Sequence, residues 1–372
     1  MEGDFLTINQ FTNYDLLPKI KRNFINFKIV LMLIIIIFIL IITNIKLNYK
    51  IKKLIKSYNI HNRQNDNKKL IDINKKKAIF WKEMLQLYIE NRTEFYIRGR
   101  EAIMKKKGKK YNDSNIITIQ DKLNWLIIHE FPEYKTNIVD KILLHEYSKK
   151  ILGKDICVPI LKIYNNTEEI NLNELPDKFV LKYNHGCEMN ILCNNKSNFN
   201  LANAKYLLNK WKNINYGLMG FEFQYLNVKK KLYAEKYLCD DIKDYKIYCF
   251  NGKPKFIRVQ KKLPNKLGKI NNYYNLDWTL NDIETNLPHY YRKPNIKFKK
   301  PKNIKLMLEY AKKLSKEFAF VRVDLYEVED VVYLGELTFI PFNAGMNYKN
   351  KKQSIWLGSL LDIKKIKKIN LI

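Results

Sequence analysis

The chain has 372 residues, 46% apolar and 13% aromatic, enough for a sizeable core, which excludes disorder throughout. Twelve Gly and 10 Pro exclude collagen-like and low-complexity classes. The net charge of +31 would ordinarily point to a polyanionic partner, but only eight of the 68 basic residues are Arg, and Lys, Asn, Ile and Tyr are over-used together in the manner of A/T-rich coding, so most lysines are expected as solvated surface and no nucleic acid partner is expected.

Residues 1–23 are expected to be an N-terminal tail. Ile29 to Ile42 is an unbroken apolar run, and a helix drawn from Phe24 to Leu47 would be about 36 Å long, sufficient to span a bilayer. No small-residue cleavage pattern follows it, so 24–47 is expected to be a single-pass transmembrane anchor with the lipid bilayer as partner. Residues 48–115 read as a basic stalk in which Ile79, Phe80, Trp81, Met84, Leu85, Tyr88 and Ile89 recur at helical spacing, predicting one amphipathic helix. The compact domain is expected over 116–365. Lys19, Lys21, Arg22 and Lys28 before the apolar run face Lys46, Lys50, Lys52, Lys53 and Lys56 after it, a balance leaning toward a cytosolic C-terminal side. Five cysteines, an odd number with no CxxC pair, suit a reducing compartment.

From about Asp121 helical and strand patterns alternate, an α+β expectation. Asp140 and Lys141 open a predicted helix stopped by Gly153. In LPDKFVLKYNHG, Phe179 to Leu181 predict a short strand ended by Lys182, and Asn184, His185 and Gly186 a turn whose backbone N–H groups can approach an anion. Lys182 at that strand end suits phosphate oxygens; the His185 ring is expected to be structural rather than a catalytic acid or base. KLYAEKYL predicts a second strand. DYKIYCFNGKPKFIRV predicts a hairpin turning at Asn251 and Gly252, with Asp244, Lys246 and Tyr248 on one face. Lys246 is thus a candidate phosphate contact, with plain solvent exposure as its alternative.

FAFVRVDLYEVEDVVYLGELTFIPFNAG predicts two paired strands carrying Arg322, Asp324 and Glu336. Two carboxylates from paired strands suit Mg²⁺, and an arginine beside them suits a transferring phosphoryl group. Side-chain alternation imposes a condition. A two-residue turn at Glu329 and Asp330 would set Asp324 opposite Gly335 and send Glu336 to the other face, so a shared metal requires an odd loop or a bulge.

Taken in order, DKLNWL, VDKILLHEY, LPDKFVLKYNHG, FEFQY, YAEKYL, DYKIYCFNGKPKF, NLDW, AKKLSKEFAFVRVDLYEV and YLGELTFIPFNAG, spanning Ile116 to Asp362, resemble the TupA-like ATP-grasp family, which is associated with teichuronopeptide and other cell-surface polysaccharide synthesis. The resemblance implies an ATP-grasp fold with ATP and Mg²⁺ as cofactors. By it Lys141 and Lys182 look like the grip on the ATP phosphates beneath the His185–Gly186 loop, Glu235, Lys236 and Leu238 like the hinge bordering adenine and ribose, and Asp324 and Glu336 like the magnesium carboxylates. Arg322 and Lys246 would neutralise the transferring phosphoryl group. The chain departs from the pattern at Thr338, where the wider superfamily often has Asn, at Cys187 and Glu188, where small residues are expected, and at His145, where the family tends to have Arg. The implied chemistry is attack of a carboxylate on the γ-phosphate and opening of the acyl phosphate by an amine, with a glycan or other carboxylate as substrate. ATP consumption favours a catalytic domain on the cytosolic side. The alternatives are a glycosyltransferase, for which no DxD motif is present, and an inactive ATP-grasp scaffold.

Overall fold

A computed structural model describes residues 79–106, 112, 115–130, 132–263, 268–286, 290–293 and 295–364. The expected tail at 1–23, the expected anchor at 24–47 and most of the stalk lie outside the described residues. Among the described residues no helix is long and apolar enough to cross a membrane. These residues fall into two compact units that divide between Gly99 and Arg100.

In the first unit residues 79–90 are helical, as the apolar spacing predicts. Asn91 breaks this helix and starts the next, Arg92–Lys106, by accepting from the Glu94 N–H at 3.0 Å. Glu94 and Arg98 pair one turn apart at 3.0 Å.

The second unit combines helices with two sheets, one antiparallel and one antiparallel but for a single parallel pair. Strands β1 (Ile160–Tyr164), β2 (Phe179–Tyr183), β3 (Asn190–Cys193) and β4 (Leu232–Lys236) form a four-stranded sheet in the order β1-β4-β2-β3. Alternation turns Phe179, Leu181 and Tyr183 to one face, where they join Ala204, Leu208 and Trp211 of the helix Leu201–Lys212 in a single apolar core. Asn200 caps that helix through the Asn203 N–H.

Strands β5 (Lys243–Phe250), β6 (Lys253–Lys262), β7 (Lys269–Tyr274), β8 (Leu280–Asn281), β9 (Tyr290–Arg292), β10 (Phe320–Val328) and β11 (Val331–Thr338) form a seven-stranded sheet. Its order is β11-β10-β5-β6-β7-β8, with β9 parallel to β7. The β5–β6 hairpin turns at Asn251 and Gly252 with φ of 46° and 73°, the doubly left-handed turn that an Asn-Gly pair favours. Ile247 and Cys249, Ile257 and Val259, and Val321 and Val323 occupy one face and are all 0% exposed. The helix Ile304–Ser315 covers this face with Met307, Ala311 and Leu314, and Cys249 Sγ contacts the Ala311 carbonyl at 3.8 Å. One side of the sheet is therefore sealed by apolar packing, which leaves the other for polar groups.

The compact unit takes in Arg100, ahead of the Ile116 start read from the sequence. Arg100 is 1% exposed and donates to Asn124 Oδ1 from Nε and Nη2, at 3.0 and 2.7 Å, and to the Asn343 carbonyl at 3.3 Å. The helix read from Asp140 also starts later. Residues 141–143 form turns, and the helix proper is Leu144–Leu152, ended by Gly153 at φ 76°.

Candidate active site

Register decides whether Asp324 and Glu336 can meet. β10 and β11 are joined by Glu329 and Asp330, both left-handed with φ of 51° and 62°, and the pairing runs Val328 with Val331 up to Leu325 with Leu334. Continued without a break, this ladder would set Gly335 opposite Asp324. A bulge instead makes Gly335 the extra residue and sets Asp324 opposite Glu336 and Arg322 opposite Thr338. The two-residue turn and the shared face thus coexist because of one inserted glycine. A Cβ at Gly335 would lie 2.7 Å from the Tyr326 ring.

Across the same face the side chains form a network of alternating charge. Arg322 binds Asp324 with both arms, Nε to Oδ1 and Nη2 to Oδ2, each at 2.6 Å. Lys246, opposite Asp324 on β5, donates to the same Oδ2 at 2.7 Å and lies 3.4 Å from Asp244; it is 8% exposed, which rules against its reading as an ordinary surface lysine. Arg322 Nη2 also reaches Glu336 Oε1 at 3.2 Å and Thr338 Oγ1 at 3.0 Å, and the Thr338 hydroxyl donates to Glu336 at 2.9 Å. Lys141 lies 3.9 Å from Glu336. On the far side Gln260 donates to Asp244 at 3.3 Å and accepts from Arg258 at 2.8 Å.

The field sets the protonation states. Burial alone would raise the Glu336 carboxyl, but Lys141, Arg322 and Lys246, with the Thr338 hydroxyl, bring it down to about 2. Burial disfavours the charge on Lys246, yet Asp244 and Asp324 outweigh it and hold the ammonium above its ordinary value. One guanidinium nitrogen touches both carboxylates, so a single small cation can also touch both. Two carboxylates with a hydroxyl alongside form an all-oxygen donor set of the kind Mg²⁺ takes. Asp324 and Glu336 would hold the ion, supplying charge neutralisation to phosphate oxygens.

The four-stranded sheet contributes the second group. Lys182, near the end of β2, is ion-paired with Glu235 of β4. The loop after β2 closes through the Tyr183 N–H to the Met189 carbonyl at 3.2 Å. Asn184 anchors it, donating to Asp140 Oδ2 at 2.7 Å and to the Lys229 carbonyl at 2.9 Å, and accepting from the Lys231 N–H at 2.8 Å. Asp140 also accepts from the Ile142 N–H at 2.8 Å, so the turn that carries Lys141 is tied to the loop. Lys141 completes the connection by donating to the Gly186 carbonyl at 2.6 Å. Gly186 is needed for close approach, since a Cβ there would meet Tyr216 Cδ2 at 2.8 Å.

His185 is spent on this packing. Its ring is 1% exposed, donates from Nε2 to the Trp211 carbonyl at 3.2 Å and lies edge-on to Tyr183. Burial and the nearby Lys230 push it down to about 4, so it is neutral at ordinary pH and its side chain is structural. Burial and the charge of Glu336 push the Cys187 thiol up to about 12, which keeps it protonated. Glu188, left-handed at φ 60°, reaches Lys269 of β7 at 3.5 Å.

Lys141, Lys246, Arg322, Asp324 and Glu336 therefore come together in one network, with Lys182 and Glu235 as a separate pair. Lys236 is exposed and Leu238 half-buried, at the crossing from β4 of one sheet to β5 of the other. Among the described residues they have no part in the network. His145 pairs with Asp155 at 2.7 Å. Sequence reasoning missed Asp140 and Asn184 as the ties of the loop, and Gln260 and Arg258 as the extension of the network. FIRVQ carried a signal, because a charge in an apolar strand calls for a buried partner.

A model of the TupA-like ATP-grasp family matches residues 121–362. No curated protein matches the chain. Among solved structures, N5-carboxyaminoimidazole synthetase from Staphylococcus aureus complexed with ADP is 16% identical, covering 57% of this chain and 48% of its own, with a TM-score of 0.35. D-alanine–D-alanine ligase from Bacillus anthracis complexed with ATP is 16% identical, covering 65% of this chain and 72% of its own, with a TM-score of 0.36. The chain spans about half the length of the first.

Proposed function

The chain belongs to the TupA-like ATP-grasp family, and from that premise we propose that it is an ATP- and Mg²⁺-dependent carboxylate–amine ligase acting on a cell-surface polysaccharide or glycan precursor. The single observation that carries the proposal is the bulge that sets Asp324 opposite Glu336, with Arg322 and Lys246 held against them. No side-chain nucleophile is required. An acceptor carboxylate oxygen attacks the γ-phosphorus of ATP, the bond to the bridging oxygen breaks, and ADP leaves. An amine nitrogen then attacks the acyl carbon, phosphate departs, and the nitrogen loses a proton to give the amide.

Each residue group has a distinct task. Lys182 at its strand end and Lys141 beside the loop grip phosphate oxygens; the loop backbone from Asn184 to Gly186 lies over them. Glu235, Lys236 and Leu238, at the crossing between the sheets, border the adenine and ribose. Arg322 and Lys246, already oriented by Asp324, receive the charge that develops on the transferring group, so that little reorganisation accompanies the reaction. Residues 24–47 anchor the protein in the bilayer, with the catalytic unit on the cytosolic side, next to a membrane-linked acceptor. ADP release by the full chain, with and without glycan fractions bearing carboxylates, tests the activity; glycan-dependent release that Glu336→Gln abolishes is expected. Protease protection of a C-terminal tag in sealed vesicles tests the topology, and a tag shielded in the lumen would overturn the cytosolic placement.

A further inference from the structure

The proposed reaction leaves His145, Asp155 and Cys157 unused, yet the fold gathers them. Gly153, left-handed at φ 76°, ends the helix Leu144–Leu152 and lets the chain turn back along it. The Ile156 N–H then donates to Ser148 Oγ at 3.2 Å, and Ser148 Oγ donates to the Lys154 carbonyl at 3.4 Å. Ser148 is 0% exposed, so the returning segment is fixed to the helix. This brings Asp155 and Cys157 beside His145, which lies one turn before Ser148 on the same helix face.

Three different donors meet there. Asp155 Oδ2 lies 2.7 Å from His145 Nδ1, and a ring nitrogen, a carboxylate oxygen and Cys157 Sγ all lie within 4.8 Å of one another. A sulfur and an imidazole beside one carboxylate suit Zn²⁺, whereas Mg²⁺ takes oxygen alone. At Zn²⁺ bond lengths of about 2.0–2.3 Å, tetrahedral donors stand about 3.3–3.6 Å apart. The widest separation therefore has to close by about 1 Å and the His145–Asp155 contact to open by less than that. The Asp155 and His145 side chains are 41% and 19% exposed, which gives an ion a way in and leaves room for a water, while Cys157, 7% exposed, forms the inner wall. The Cys157 N–H holds Asp155 Oδ1 at 2.9 Å, an outer contact that orients the carboxylate and leaves Oδ2 for the ion.

We infer that His145 Nδ1, Asp155 Oδ2 and Cys157 Sγ form a Zn²⁺ site, separate from the Asp324 and Glu336 pair, with a water as the fourth ligand. On binding, the thiol proton passes to solvent and the His145 ring carries its proton on Nε2, leaving Nδ1 to the ion. The place of the site in the fold gives the ion a structural task. Cys157 forms a parallel bridge with Leu334, and the Leu334 N–H donates to the Ile156 carbonyl at 2.7 Å. Leu334 directly precedes the bulged Gly335. Zn²⁺ at these ligands thus cross-links the helix that follows Lys141 to the strand that carries Glu336, and stabilises the folded chain by binding it alone.

The test uses the full chain, stripped with a chelator and titrated with Zn²⁺ and with Co²⁺ in the presence of excess Mg²⁺. The parent is expected to bind Zn²⁺ undisturbed by Mg²⁺, to unfold at a higher temperature with Zn²⁺ than without, and with Co²⁺ to show a thiolate-to-metal charge-transfer band. Cys157→Ser is expected to abolish the band and to weaken Zn²⁺ binding at least tenfold. His145→Arg, which keeps a cation for Asp155 but offers no lone pair, is expected to weaken Zn²⁺ as much while unfolding like the stripped parent. Glu336→Gln is expected to leave the band and the Zn²⁺ affinity unchanged. Should Cys157→Ser fail to fold, His145→Arg, a change at a partly exposed side chain, decides the matter. A parent without the charge-transfer band, or a band and affinity undiminished in folded Cys157→Ser or His145→Arg, would overturn the inference and leave His145 and Asp155 as a plain ion pair. Zn²⁺ binding lost in Glu336→Gln but kept in Cys157→Ser would overturn it too, by placing the ion at the paired carboxylates.

Discussion

The two sheets of the second unit hold their charged side chains in different ways. On the four-stranded sheet one ion pair, Lys182 with Glu235, stands beside a loop that offers mainly backbone, and the Lys182 side chain is 21% exposed. On the seven-stranded sheet Arg322, Asp324 and Lys246 are locked together with side-chain exposures of 8%, 2% and 11%. On the proposed reading, the contact on the first sheet is the one exchanged for a phosphate with little disturbance. On the second, each charge is the counter-charge of its neighbour, so orientation and stability are coupled and substitutions there will not act independently.

The largest effect that separates the two is expected at Asp324. Asp324→Ala leaves Arg322 and Lys246 as buried like charges and is expected to lower the unfolding free energy by about 3–5 kcal/mol, measured by urea denaturation. Lys182→Ala is expected to cost less stability while weakening ADP binding by about 10–100-fold, the loss of a charge-assisted contact. Equal stability losses at the two sites would erase the contrast.

The pH dependence sharpens it. Glu336 is held at about 2, below its unfolded value near ~4.3. Its contribution is therefore complete above the unfolded value and is lost as pH falls through about 2. Between those limits the parent is expected to lose up to about 3 kcal/mol that Glu336→Gln does not lose. Parallel pH profiles for the two proteins would show that the carboxylate is not held by Lys141, Arg322 and Lys246.

A smaller effect is expected at the bulge. Gly335→Ala sets a methyl against the Tyr326 ring and is expected to cost about 1–3 kcal/mol, relieved in part by Tyr326→Leu. A neutral Gly335→Ala, read by thermal unfolding, would mean that the register carrying both carboxylates is not confined as described.

Much of this site was legible in the chain because strand alternation is local. Asp244 and Lys246 share a face by spacing alone, and the parity of Asp324 and Glu336 by itself calls for an odd loop or a bulge. What alternation cannot say is which strands become neighbours. Gln260 joins Asp244, and Asn271 meets Gln260, only because β6 lies between β5 and β7. The early start of the unit at Arg100 was hidden for a related reason, since its partners Asn124 and Asn343 are far along the chain. The His185 ring reads as structural in the sequence and is so, but its particular partner, the Trp211 carbonyl, comes from the packing of a helix onto the sheet, which no local pattern encodes.

Trapping with hydroxylamine tests the central claim most directly. Full-chain protein incubated with ATP, Mg²⁺, a uronate-bearing glycan and hydroxylamine is expected to form hydroxamate and ADP in equal amounts, and Glu336→Gln neither. ADP formed without hydroxamate, or hydroxamate formed undiminished by Glu336→Gln, would contradict an acyl phosphate made at the paired carboxylates of β10 and β11.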